Sequence, residues 1–166
     1  VVSILETEKN DQQKWNALEK IFVDLVDIDW MGRFALGPTW RHMQADQKKE
    51  YSKAYRNYLV HNYVSKFTDY NGQKYNINAI KDLGKGRYVI SSKIHDQKNN
   101  RTIKLSYRLI KVGDKFKIRD IIAEDISLIN TQRSEFSSLI QQKGINGLID
   151  ALQKQNGQIS KGAELP

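Results

Sequence analysis

The segment from Ile103 to Leu109 constrains this chain more than any other. Ile103, Leu105, Tyr107 and Leu109 alternate with Lys104, Ser106 and Arg108. Successive side chains of a strand point to opposite faces, so this period of two describes a sheet with one apolar and one charged face. Neighbouring stretches repeat it. Tyr75, Ile77 and Ala79 alternate with polar residues, and so do Tyr88, Ile90, Ser92 and Ile94. Phe116, Ile118 and Ile121-Ile122 carry a fourth strand. Gly84-Lys85-Gly86, Asp96 to Asn100 and Gly113-Asp114 are short polar breaks, so the four strands form an antiparallel meander.

The flanks follow the helical period instead. Asp11 can cap a helix to about Val26, with Trp15, Leu18, Phe22 and Leu25 at steps of three and four. A shorter amphipathic piece, about Asp29 to Leu36, stops at Gly37-Pro38, because proline disfavours the α conformation in the residue before it. Asp46 caps a long helix to about Phe67. Tyr51, Ala54, Tyr55, Tyr58, Leu59, Asn62 and Tyr63 form its inner face, suited to a half-wet groove or a core rim. Asn71-Gly72 is a turn. After the strands, Asn130 or Thr131 caps a helix carrying Phe136, Leu139 and Ile140. Gly144 ends that helix, and Ile145, Leu148, Ile149 and Leu152 mark a last short one.

Helices, then strands, then helices predict an α+β fold with a mainly antiparallel four-stranded sheet. The 166 residues suit one domain, read here as 1–155, with 156–166 a polar C-terminal tail. No apolar run is long enough for a membrane-spanning helix, and without cysteine there are no disulfides or thiolate zinc sites. The start, Val1-Val2-Ser3-Ile4-Leu5-Glu6, lacks Met and signal-peptide anatomy, and reads as a mature chain from which an export signal has been removed.

Little in the sequence points to catalysis. His42, His61 and His95 stand apart without metal-ligand spacing, so no metal is expected. Gly84-Lys85-Gly86-Arg87 lacks the rest of a phosphate loop and is followed by a strand, so it reads as a hairpin. Asp120, Glu124 and Asp125 cluster at the end of the fourth strand. Paired carboxylates can do acid–base work when burial separates their pKa values. The same residues can instead cap the following segment or pair with Arg119 and Arg133. The formal charge of +8, from 27 Lys and Arg against 19 Asp and Glu, invites nucleic acid, a lipid surface or an acidic partner. The basic residues are spread over a helix and several strands, and no nucleic-acid module is present, so no nucleic acid is expected.

One resemblance orders these observations. Met31-Gly32-Arg33-Phe34-Ala35-Leu36-Gly37-Pro38-Thr39-Trp40-Arg41 resembles the M-A-R-x-x-L-G-x-x-W-R segment of the MlaC (toluene-tolerance auxiliary) family of periplasmic phospholipid-binding proteins. Tyr70-Asn71-Gly72-Gln73 matches its Y-x-G-Q, and Phe116-Lys117-Ile118-Arg119-Asp120-Ile121 resembles W-K-V-Y-D-V. Glu124-Asp125-Ile126-Ser127-Leu128-Ile129 resembles E-G-V-S-L-V, and Arg133-Ser134-Glu135-Phe136 resembles R-S-Q-F. The similarity runs from about Ile4 to Leu152. Asp125 replaces a glycine, Gln132 a tyrosine and Phe116 a tryptophan.

The resemblance implies a helical layer packed on a twisted, mainly antiparallel sheet, enclosing a deep apolar pocket that holds the acyl chains of a phospholipid with the head group at its mouth. It implies a monomeric, non-enzymatic periplasmic carrier without cofactor, its cargo a phospholipid. Its implied partners are an inner-membrane ABC transporter complex and an outer-membrane lipoprotein complex, in a system that maintains outer-membrane lipid asymmetry. The residues expected to line the pocket are Ile28, Met31, Phe34, Trp40, Tyr55, Leu59 and Tyr63 from the helices. From the sheet and beyond come Ile77, Ile90, Leu105, Tyr107, Leu109, Ile118, Ile122, Ile126, Leu128 and Phe136. The alternative is a small-molecule enzyme on a similar α+β cone, using a buried carboxylate such as Asp120. The +8 then serves approach to anionic head groups or acidic docking surfaces, and Gly32 and Gly37 are candidate flex points.

Overall fold

The computed structural model describes residues 11–68, 74–96 and 100–159. The Asn71-Gly72 turn, most of the Asp96 to Asn100 turn and the chain beyond Ile159 lie outside the described residues. Helix α1 spans Asp11–Leu25 and buries Leu18 and Phe22, one turn apart. Helix α2 spans Ile28–Leu36. Asp27 precedes it but makes no side-chain cap; its carboxylate pairs with the Arg119 Nε at 2.8 Å instead. Gly37 stops the helix through a φ of 57°, a conformation most side chains avoid, while its N–H donates to the carbonyls of Arg33 and Phe34. A one-turn helix that the sequence pattern did not announce, α3 at Thr39–His42, follows Pro38.

Helix α4, Ala45–Thr68, is the spine of the helical layer. The Gln44 N–H donates to the Gln47 side chain (3.1 Å), closing the start of the helix where Asp46 was the expected cap. Its buried face holds Tyr51, Ala54, Tyr55, Leu59, Val60 and Val64. Tyr51 and Tyr55 are 1 % exposed, deeper than the half-wet rim expected of them. Each hydroxyl is satisfied inside: Tyr51 donates to the Gly32 carbonyl (2.9 Å) and Tyr55 to Gln132 Oε1 (2.7 Å). Gly32 is therefore a spacer and not a flex point. A Cβ placed there would sit 2.9 Å from the Tyr55 ring.

The sheet is an antiparallel meander in the order β1 (Lys74–Gly84), β2 (Arg87–Asp96), β3 (Arg101–Val112), β4 (Lys115–Ala123), β5 (Ile126–Ser127). The fifth strand is only two residues long, so the expectation of four strands is corrected to five. Its turn places Glu124 and Asp125 at φ 48° and 67°. Asp125 thus adopts the left-handed conformation that the family's glycine takes freely, which short polar side chains tolerate. Helix α5, Leu128–Ile159, is broken at Gly144 (φ 68°, ψ 179°) as the sequence implied, but continues past Asn156 into the segment read as a tail.

Of three register shifts among the described residues of the sheet, one lies at the Asp82–Gly84 end of β1 and two change which residues share a face. The β1–β2 register steps from Ile77↔Ser92 to Ala79↔Ser91, so Asn78 is an extra residue. Ile80, not Ala79, then shares a face with Ile77. In β3–β4 the register steps from Arg108↔Asp120 to Leu109↔Ile118, so Arg119 is extra. Ile121, not Ile122, therefore continues the face of Ile118.

Every buried hydrophobic residue lies in a helix or its flanks; no strand contributes one among the described residues. The helices meet the sheet chiefly through β4, where Val26 and Ile118 form a parallel bridge and Ile118 packs against the helical core.

Candidate functional site

The sheet presents one apolar face, exposed along β1 and half-buried across β2, β3 and β4. Register places Tyr75, Ile77 and Ile80 of β1 beside Tyr88, Ile90, Ser92 and Ile94 of β2. The same face continues through Ile103, Leu105, Tyr107 and Leu109 of β3 to Ile118 and Ile121 of β4. Of these only Ser92 is buried; Ile77 is 58 % and Ile80 65 % exposed. The exposed end of this face, Tyr75, Ile77 and Ile80, is an apolar patch of the kind that can receive a ligand. Near the middle of the face Tyr107 lies close to Tyr75 and Ser92, and the Ser92 hydroxyl donates to the Leu105 carbonyl (3.0 Å). Ile80 and Ile121 escaped the sequence reading because bulges brought them there. Tyr75, Tyr88, Ile94 and Ile103 carried the right period but were not singled out.

Fifteen of the seventeen expected lining residues separate into three groups. Ile28, Met31, Tyr55, Leu59 and Phe136 are buried in the helical core. Phe34, Trp40, Tyr63, Ile118 and Leu128 pack half-buried against it. Ile77, Ile90, Leu105, Tyr107 and Leu109 share the open sheet face, whereas Ile122 is on the opposite face. Ile126, in β5, is 65 % exposed. Ile28, Trp40 and Tyr55 meet at a void of about 10 Å³, which holds no more than one water, so this part of the helical layer is solid. A larger cleft, about 620 Å³, lies between α4 and α5. Glu50, Lys53, Asn57, Asn146, Asp150 and Gln153 line it, which makes it a polar surface groove and not a seat for acyl chains.

Asp120 is fully buried, and its neighbours account for it. It accepts hydrogen bonds from the Ser127 hydroxyl (2.7 Å) and the Ile129 N–H (3.3 Å), tying the end of β4 to the start of α5. Its ion partner is Arg108 at 3.6 Å. Arg119 and Arg133, the partners the sequence suggested, are elsewhere: Arg119 on Asp27 and over Trp30, Arg133 over Phe34. The Nδ1 of His61 is 2.9 Å from the Asn57 carbonyl oxygen, and that of His95 is 3.1 Å from the Thr102 hydroxyl. Among the described residues no group of three or more His, Asp or Glu side chains could hold a metal. No described helix is long and apolar enough to cross a membrane.

The profile of the MlaC protein family matches residues 1–154. The chain belongs to the MlaC family. Relatives include the intermembrane phospholipid transport system binding protein MlaC of Haemophilus influenzae, 23% identical over 136 residues. That match covers 80% of this chain but 64% of the relative, so the chain spans under two thirds of that protein's length. Toluene tolerance protein ttg2D of Pseudomonas putida is 23% identical over 159 residues, covering 95% of this chain and 73% of the relative. The fold is shared with a phospholipid-binding protein from Ralstonia solanacearum solved in complex with a phospholipid, at a TM-score of 0.77 and 22% identity. That alignment covers 95% of this chain and 92% of the solved one. The family match and the phospholipid-transport name of its Haemophilus relative speak against the reading of Asp120 as a catalytic acid, and its carboxylate is already engaged by Ser127, Ile129 and Arg108.

In this MlaC chain the motif from Met31 to Arg41 builds the corner between α2, α3 and α4. Met31 and Gly32 are buried against α4, Trp40 stands edge-on to Tyr51, and the Arg33 guanidinium lies 5.5 Å from the Trp40 ring. Gln132, where the family has tyrosine, receives the Tyr55 hydroxyl in the core.

The tyrosines make stability depend on alkali. Burial pushes the phenols of Tyr51, Tyr55, Tyr63 and Tyr107 well above their ordinary value, with smaller contributions from neighbouring tyrosines at Tyr55, Tyr63 and Tyr107. Unfolded tyrosines lose their protons near pH ~10, whereas these folded ones keep them. Above that pH the folded state binds more protons than the unfolded one, so stability is fully present below pH ~10 and is lost as pH rises beyond it. The slope reaches about 1.4 kcal/mol per pH unit for each such group. Thermal melts should be flat between about pH 8 and 9 and fall steeply above pH ~10. A melting temperature that did not fall there would contradict the burial of these phenols.

Proposed function

We propose that this protein is a periplasmic phospholipid carrier, the binding protein of an ABC-transporter system that shuttles lipid between outer and inner membranes and maintains outer-membrane lipid asymmetry. Residues 1–155 act as one lipid-binding domain, working as a monomer. The acyl chains lie against the apolar sheet face, the head group stays exposed, and no cofactor takes part. The observation that carries this reading is the apolar sheet face, exposed at Tyr75, Ile77 and Ile80 and half-buried at Ile90, Leu105, Tyr107 and Leu109, in an MlaC-family chain. The half-buried Phe34, Trp40, Tyr63 and Leu128 supply the helical border of the site, and the buried helical candidates stiffen it from behind.

The energetics explain why such a face is needed. Each CH₂ withdrawn from a bilayer into water costs about 0.8 kcal/mol, so a two-chain lipid needs on the order of 20 kcal/mol of replacement shielding. Nearly all of that comes from covering tails, so head-group contacts can stay loose. Mass spectrometry of an organic extract of the purified protein tests the reading. About one phospholipid per chain is expected if both tails are held. Absence of lipid, together with no uptake from labelled liposomes, would sink it.

A further inference from the structure

The face of the sheet opposite the apolar one carries its own pattern. Register places Lys81 on β1, Lys93 on β2, and Lys104 and Arg108 on β3 on that face, and all four are exposed. Lys93 and Lys104 are direct cross-strand partners. Like charges directly opposite one another destabilise a sheet, so the pairing works against the fold. Neither lysine, nor Lys81, has a carboxylate at ion-pair distance among the described residues. Glu124, beside Lys104 at the rim of this face, directs its Oε1 to the Lys104 backbone N–H at 2.6 Å. Arg108 shares Asp120, whose carboxylate is already engaged by Ser127 and Ile129.

We propose that this lysine face docks the protein on the surface of an anionic phospholipid bilayer. The inference rests on the carrier reading, because a carrier must meet the membranes it serves. Charge complementarity selects an anionic surface, and the residue types select a bilayer over a protein. The face carries no Phe, Tyr or Trp among its described residues, and its charges are mainly lysines on flexible stems. Protein interfaces concentrate their energy in aromatic and arginine anchors and are depleted in lysine. A lysine near an anionic bilayer instead gains from the averaged surface potential without needing a fixed partner. The two faces of one sheet then divide the work: one shields tails, and the other meets head groups.

The test uses the full chain and vesicles of phosphatidylglycerol with phosphatidylethanolamine, compared with phosphatidylcholine vesicles. Wild-type protein should sediment with the anionic vesicles at low salt and be released at about 0.5 M salt, where the screening length is only a few ångströms. The double variant K93T/K104T should lose on the order of 25-fold in partitioning, about fivefold per lysine. Threonine suits both strand positions and removes the repulsion, so the variant should melt no lower than wild type. It should also retain wild-type phospholipid in its organic extract. Unchanged vesicle binding in the double variant would overturn the docking face. So would a wild-type protein that ignores anionic vesicles, and an acidic protein would then be the occupant of this surface. Absence of co-purifying lipid in both forms and of uptake from labelled liposomes, with salt-sensitive vesicle binding intact, would instead refute the carrier reading and leave the docking face standing.

Discussion

Ile77→Glu is expected to strip the protein of phospholipid while leaving it folded. Ile77 is 58 % exposed on the outer strand of the sheet, so the substitution removes little buried area and costs about 1 kcal/mol or less in strand preference. Under an acyl chain the same carboxylate would have to leave water without a partner. Such transfers cost several kcal/mol even after relaxation, which corresponds to a loss of affinity on the order of 100-fold. Ile77→Thr, which keeps the branched shape and adds no charge, should lie between Glu and wild type. The measurements are lipid per chain in an organic extract and the thermal midpoint of the same preparation. Normal lipid content in a folded Ile77→Glu variant would show that the tails run elsewhere. The contrast matters because in an ordinary packed sheet the same change would act on stability first.

Asp120→Ala should act the other way, on stability and not on cargo. The substitution strands the Ser127 hydroxyl and the Ile129 N–H at the start of α5. Each unsatisfied buried group costs about 1–3 kcal/mol, and the pair together about 3 kcal/mol. The Arg108 contact adds little, because that guanidinium is 54 % exposed and rehydrates when its partner goes. For a chain of this length the midpoint should fall by roughly 10 °C. Asp120→Asn keeps one acceptor oxygen and the volume, and should cost about half as much. Lipid content per folded chain should stay at the wild-type level in both. An Asp120→Ala protein that melts like wild type would mean that β4 and α5 are not joined through this carboxylate.

Much of this architecture was legible because period and position agree. The alternation from Ile103 to Leu109 gives β3 and its faces directly, and Gly144 breaks the last helix where the apolar spacing changes. What escaped has identifiable causes. A bulge adds one residue without disturbing local composition, so Asn78 and Arg119 read as ordinary strand positions. The faces of Ile80, Ile121 and Ile122 were misjudged as a result. The depth of Tyr51 and Tyr55 depends on hydroxyl partners far away in the chain, the Gly32 carbonyl and Gln132. Arg108 reaches Asp120 because cross-strand register puts them opposite each other, whereas sequence distance favoured Arg119. The lining was the least legible part. Apolar residues that close a core and apolar residues that wait for a ligand are chemically the same, and only their exposure separates Leu59 from Ile77.

Among the described residues the helices close their own interior without a strand residue among its buried members. Folding is therefore secured by one set of side chains, and whatever occupies the sheet engages another. Ligand binding still adds stability by mass action, but it adds to a structure already complete. On the carrier role proposed above, the protein must also survive the part of its cycle spent without lipid. Placing the keel in the helices and the hold on the sheet lets the vacant protein keep its shape until it is filled again.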